Sequence, residues 1–169
     1  MTIVRAPFGG VASPLAECPD AVFSTLMLGN GVILDADSAR SAVGGGEPEP
    51  GADSDDAPIR DDDGFWPVFS PVGGTVVKAK PHAMMIAADG LVLLIHLGLD
   101  TYSTSEAFRL DVADGDEVFV GQKLGGWKPE LIVEAGLNPL AIIAAMERPE
   151  VAKIANGQVG VGDRLFEVE

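Results

Sequence analysis

The sequence predicts an all-β domain with only minor helix. Three observations carry that reading: glycines fall between short apolar runs, helical periodicity is scarce, and the two halves of the chain echo one another. Within 169 residues there are 21 glycines and 12 prolines. VILDAD at 32–37, GTVVKAK at 74–80, LVLLIHLG at 91–98 and DEVFVGQKL at 116–124 each have strand length. Each is rich in Val, Ile or Leu and bounded by Gly, Asp or Pro, which makes them strand candidates. The run from Pro129 to Gly136 predicts one short helix, with proline and Glu130 in its first turn and glycine at its end. LAIIAAM at 140–146 fits a helix or a buried strand equally well.

The echo is the most informative feature. Pro7-Phe8-Gly9-Gly10 matches Pro71-Val72-Gly73-Gly74, and Pro19-Asp20-Ala21-Val22-Phe23 matches Pro81-His82-Ala83-Met84-Met85. Gly29-Asn30-Gly31-Val32-Ile33-Leu34 then matches Ala88-Asp89-Gly90-Leu91-Val92-Leu93. Matches in the same order predict two related β units that share one core.

Composition narrows the function. The chain carries 11 Lys+Arg against 26 Asp+Glu, a formal charge of −15. Nucleic-acid backbones and anionic membrane surfaces are therefore excluded as partners, because both need clustered cations. A basic protein surface is the natural complement. The single cysteine, Cys18, rules out an intrachain disulfide and is expected to be a buried structural thiol. MTIVRAPFGG lacks the pattern of a secretory signal, and the apolar run Leu91–Leu97, interrupted by His96, is too short to span a bilayer. A soluble, cytoplasmic protein is expected. Residues 42–63 hold eight acids, Arg60 and no aromatic. Such a stretch has too little apolar surface to offset its ordering entropy, so a disordered acidic insertion is expected there.

His82 and His96 are the only histidines. Strand alternation places Val92, Leu94 and His96 on one face and Leu91, Leu93, Ile95 and Leu97 on the other. A turn around Ala87-Ala88-Asp89-Gly90 would fold the run after His82 back against 91–97, so the rings can approach, at a register the sequence does not fix. In an apolar strand, each could simply be a satisfied sheet residue. As a pair, one neutral imidazole can attack a phosphoryl group while the other donates to its oxygens. Two histidines could equally be part of a zinc site. The residues alone leave these alternatives open.

Ile95-His96-Leu97-Gly98-Leu99-Asp100-Thr101 together with His82-Ala83-Met84 resembles the active-site region of the glucose-family enzyme IIA component of the bacterial sugar phosphotransferase system. Ala6-Pro7-x-x-Gly10, Pro19-Asp20-x-Val22-Phe23, Pro71-Val72-x-Gly74-Thr75, Gly115-x-x-Val118-x-Val120-Gly121 and the hairpin at 157–163 also match. The resemblance covers about residues 3–41 and 64–168. It implies a single domain over 1–169, an antiparallel β-sandwich of the duplicated barrel-sandwich hybrid kind.

The resemblance also implies a role for each site residue. His96 would accept a phosphoryl group from the histidine-containing phosphocarrier protein and pass it to a cysteine of a sugar permease's IIB domain. His82 would stabilise that group, and Gly98 would offer the carbonyl that fixes the tautomer of His96. Asp20 and Asp100 would receive arginine from the carrier, while Val22, Phe23 and Leu94 would form an apolar docking patch. No cofactor, metal, nucleic acid or membrane anchor is called for, and a monomer is expected. Two positions depart from the family: Lys80 stands where a threonine usually orients the first histidine, and Lys78 where the docking patch is often aromatic. Lys80 cannot accept a proton from imidazole, so its alternative is to neutralise phosphate. Two further readings compete. One is a non-catalytic regulatory module that binds transporters or kinases. The other is a zinc hydrolase of similar architecture, weakened by the lack of a His-x-His pair.

Overall fold

The run LVLLIHLGL forms β7 (Leu91–Leu99), with the face its pattern assigns to the core fully buried and Val92 and His96 on the other face partly exposed. Leu91, Leu93, Ile95 and Leu97 are all at most 3% exposed in the main core, whereas His96 on the opposite face is half-buried. The computed structural model describes residues 1–36, 63–101 and 104–169. Apart from Asp63, the acidic stretch expected at 42–63 lies outside the described residues.

Around β7, the chain places β1 (Thr2–Arg5), β2 (Gly10–Pro14), α1 (Ala21–Ser24), β3 (Gly29–Ala36), β4 (Trp66–Phe69), β5 (Gly74–Lys80) and β6 (Ala83–Ala88). After it come β8 (Phe108–Leu110), β9 (Glu117–Val118), β10 (Lys123–Trp127), α2 (Pro129–Glu134), β11 (Asn138–Met146), β12 (Gly157–Val159) and β13 (Arg164–Val168). The largest sheet runs β12-β2-β3-β11-β7-β6-β5-β9, with β1-β13 and β4-β10-β8 as smaller sheets. The pairings within them are antiparallel. The all-β sandwich expected from sequence is the observed architecture.

LAIIAAM resolves as strand. β11 is a central strand between β3 and β7, with Ala141, Ile143 and Ala145 in the main core and Ile142 and Ala144 in a second cluster on the opposite face, so a continuous apolar run is what that position requires. DEVFVGQKL, expected as one strand, divides into β9 and β10 around a turn at Phe119–Gln122. There Gly121 takes φ 86°, and the Gln122 side-chain oxygen accepts the Phe119 N–H at 3.2 Å. That side-chain bond competes with the ladder, and the period-2 pattern does not register it.

The internal duplication is visible in the hydrogen bonds. Gly10 opens β2 opposite Val159, and Gly74 opens β5 opposite Val118. The Gly162 N–H donates to the Ala6 carbonyl and the Gly121 N–H to the Ser70 carbonyl, both at 2.9 Å. In return Ala6 donates to the Asp163 carbonyl at 2.7 Å and Ser70 to that of Gln122 at 2.8 Å. A methyl group on Gly10 would collide with the Asp35 carbonyl, and one on Gly74 with that of Ala87. The matched glycines therefore mark places where backbones cross too closely for any side chain.

The main core lies between the sheets and includes Phe8, Trp127, Phe166 and Leu124. A second cluster lies on the outer face of the large sheet, where Leu15, Cys18, Ile33, Leu99, Ile142 and Ala144 pack together. It is covered by the segment from the 3-10 turn Leu15–Glu17 through α1, with Phe23 and Leu26 against it. Burying a large aliphatic side chain is worth roughly 1.5–3 kcal/mol, so Leu15 at 1% exposed anchors this cap. Cys18 is buried with it, and burial pushes its thiol pKa up, leaving it protonated.

Candidate functional site

The site forms where the cap of the first unit meets the end of β7. Across the sheet His96 pairs with Ala83, while His82 sits one residue earlier, in the tight turn between β5 and β6. The Leu97 N–H donates to the His82 carbonyl at 2.8 Å, which ties that turn to β7 just beyond His96. The two imidazoles meet with ring centroids 5.4 Å apart at 80°, edge to face. Phe23 of α1 lies against His96 at 5.8 Å, and Phe108 of β8 backs His82 at 6.4 Å. Both histidines remain half-buried, so the pair is supported from behind and open in front.

A backbone reversal after His96 sets its protonation pattern. Gly98 takes φ 80° and Asp100 φ 58°, and the Thr101 hydroxyl, 1% exposed, donates to the Leu97 carbonyl at 2.7 Å. A methyl at Gly98 would run into the Thr101 side chain, so only glycine fits both the angle and the space. The reversal brings the Gly98 carbonyl to 2.7 Å from His96 Nδ1. A carbonyl can only accept, so Nδ1 carries the proton and Nε2 keeps its lone pair. Burial lowers the His96 pKa, against the opposing pull of the Gly98 carbonyl, Asp100 and Asp20. Burial likewise lowers His82, aided by the charges of His96 and Lys80. Both rings are thus held neutral at physiological pH, the state in which one can be a nucleophile.

Asp20 caps α1 by accepting the Val22 N–H at 2.9 Å. Together with Asp100, Pro19, Leu99 and the 136–138 segment it lines an open cleft of about 320 Å³. Val22 is 57% exposed and Phe23 half-buried, whereas Leu94 is only 6% exposed. Leu94, expected in the docking patch, thus offers little surface to a partner and lies between its cross-strand neighbours Met85 of β6 and Ala144 of β11. Lys80 is exposed at the end of β5, and Lys78 lies 4.0 Å from Asp114. Phe108 and Asn138 were not among the residues expected at the site. They come from segments remote in sequence, and no local pattern marks them. Among the described residues no three His, Cys, Asp or Glu side chains group as metal ligands, and no helix is long and apolar enough to cross a membrane.

Comparison with known proteins follows the same lines. The family described as phosphoenolpyruvate-dependent sugar phosphotransferase system, EIIA 1, matches residues 57–151, a span that holds both histidines. The solved structure of glucose permease IIA from Mycoplasma capricolum is similar at a TM-score of 0.76 and 25% identity. That likeness covers 97% of this chain and 93% of the other.

Proposed function

The chain belongs to the EIIA 1 family of the phosphoenolpyruvate-dependent sugar phosphotransferase system, and on that premise we propose that His96 is its phosphoryl-carrying residue. The donor is the phosphohistidine of the histidine-containing phosphocarrier protein, and the acceptor is a cysteine of a IIB domain in the cytoplasm. The observation that carries this reading is the bond between Nδ1 and the Gly98 carbonyl at 2.7 Å, which leaves Nε2 as the attacking atom.

In the first step, the Nε2 lone pair forms a bond to phosphorus while the phosphorus–nitrogen bond of the donor breaks. The bonding pair returns to the donor imidazole. His96 keeps its Nδ1 proton, so its ring becomes cationic, and the Gly98 carbonyl stabilises that charge without moving. His82, edge-on to His96 at 5.4 Å, donates an N–H to a phosphoryl oxygen. In the second step, a cysteine thiolate attacks phosphorus and the bond to Nε2 breaks, restoring neutral His96. Asp20 and Asp100, which line one open cleft, receive a cationic side chain of the donor on this reading, and the exposed Val22 and half-buried Phe23 supply apolar contact.

Labelled phosphoenolpyruvate, enzyme I and the carrier protein test this directly. Acid-labile, base-stable label is expected on the wild-type chain and none on His96→Gln. His82→Gln is expected to accept label and to deliver it poorly to IIB. Label persisting on His96→Gln would overturn the assignment.

A further inference from the structure

We propose that Lys80 is a second phosphoryl-binding residue, which holds the group on His96 by charge. This rests on the reading of His96 as the phosphoryl carrier and adds to it the cation that neutralises the transferred group.

Ser13, Ile33, Ile142, His96, Ala83 and Lys80 are successive partners across β2, β3, β11, β7, β6 and β5. Residues directly opposite one another in a sheet project from the same face, so Lys80 and His96 emerge on the same side. Strands lie about 4.8 Å apart, which sets Lys80 about 10 Å from His96 along that row. Only the methyl group of Ala83 stands between them. A flexible lysine stem crosses such a gap easily, and a phosphoryl group extending from Nε2 shortens it further.

The turn adds a second constraint. Lys80 and Ala83 flank Pro81 and His82, so the ammonium and the His82 ring are carried on one tight connection. The charge of Lys80 is felt at that ring, where it disfavours protonation. Lys80 also differs from Lys78, Lys123 and Lys153 in having no counter-ion. Lys78 lies against Asp114, Lys123 against Asp111 and Lys153 against Glu167. Among the described residues, Lys80 makes no ion pair. In a chain of net charge −15, an exposed cation without a carboxylate beside it, set next to the histidine pair, is suited to an arriving anion. His82, held neutral, then donates a hydrogen bond, while Lys80 supplies the charge that His82 lacks.

The expected consequence is a shift in the phosphoryl equilibrium toward this chain. Carrier protein and wild-type, Lys80→Met or Lys80→Arg chain are equilibrated with labelled phosphoenolpyruvate and enzyme I, and label on each partner is counted at low and high salt. Lys80→Met is expected to lower the phosphorylated fraction ratio about tenfold at low salt and to flatten its salt dependence. Lys80→Arg, which keeps the charge, is expected to stay within about twofold. Equal ratios and salt slopes for wild type and Lys80→Met would overturn the role of Lys80 while leaving His96 as carrier. A wild-type chain that takes no label on His96 would overturn both. Circular dichroism of Lys80→Met checks that this exposed change leaves the fold intact.

Discussion

The two repeated units start alike and then part company. Each begins with a Pro-x-Gly-Gly turn that opens a strand, Gly10 for β2 and Gly74 for β5, and each turn is closed by the same pair of reciprocal backbone bonds. Beyond that point the second unit runs through a two-residue turn, with β5 followed directly by β6. The first unit instead leaves its sheet at Pro14, forms the Leu15–Glu17 turn and α1, and returns only at Gly29. The echo of His82 in that excursion is Asp20, which caps α1. The excursion lies over the outer face of the sheet and sets Phe23 beside His96. What is repeated is scaffold, and what is not repeated makes the site.

The hardest test of that comparison is to strike both repeats at their shared feature. Gly10→Ala and Gly74→Ala each drive a methyl into a neighbouring carbonyl, and each is expected to cost roughly 3 kcal/mol or more in urea denaturation. The two should behave alike. Gly90→Ala, at φ 77° with open space around it, serves as the control and should lose only about 1–2 kcal/mol. If one matched glycine tolerates alanine and the other does not, the units are not structurally equivalent.

Gly98→Ala probes the unrepeated part. It requires a left-handed φ and also a shift of the buried Thr101, so it is expected to cost more than the Gly90→Ala control, roughly 2–3 kcal/mol. Its larger effect falls on chemistry, because the carbonyl that fixes the His96 tautomer moves with it. Single-turnover acceptance from the carrier is expected to fall roughly 100-fold, the cost of misplacing a reacting group by about 1 Å. Near-normal acceptance would mean that the carbonyl does not set the nucleophile.

The smallest effect is on pH dependence. In the folded chain burial lowers both histidines below their unfolded value of about 6.5. The charged groups facing them are Lys80 on β5, Asp20 at the cap and Asp100 after β7, and at His96 the Gly98 carbonyl and the two acids oppose the shift. Above pH ~6.5 both states are neutral and the histidines leave stability unchanged. Below it the unfolded chain takes up protons first, so stability falls as pH drops through the folded pKa values. Replacing both histidines with glutamine should flatten that part of the profile. Acceptance of phosphoryl groups should likewise hold level down to about pH 6.5 and decline only below it.

The scaffold was legible because glycine has few substitutes. A Gly-Gly pair that recurs in the same context records two places where backbone crosses backbone, and the alternating leucines of Leu91–Leu97 record which face is core. The histidine pair was legible because there are only two. Less could be read where side chains take over from pattern. The turn at Phe119–Gln122 is closed by both the backbone and the side chain of Gln122, and α1 is four residues long, too short to display a period. Register was hidden as well. His96 faces Ala83 rather than His82, and that pairing alone puts Lys80 in the same row. Leu94 shows the opposite limit: alternation assigned its face correctly, and only packing revealed how little of it remains exposed.

On the proposed mechanism a single atom, Nε2 of His96, carries the phosphoryl group. The phosphorylated chain, labelled with 15N in its histidine rings, can be examined by nitrogen and phosphorus NMR. A phosphorus coupling to Nε2 of His96 is predicted, with Nδ1 still carrying its proton toward Gly98. Coupling to Nδ1 of His96, or to either nitrogen of His82, would contradict it.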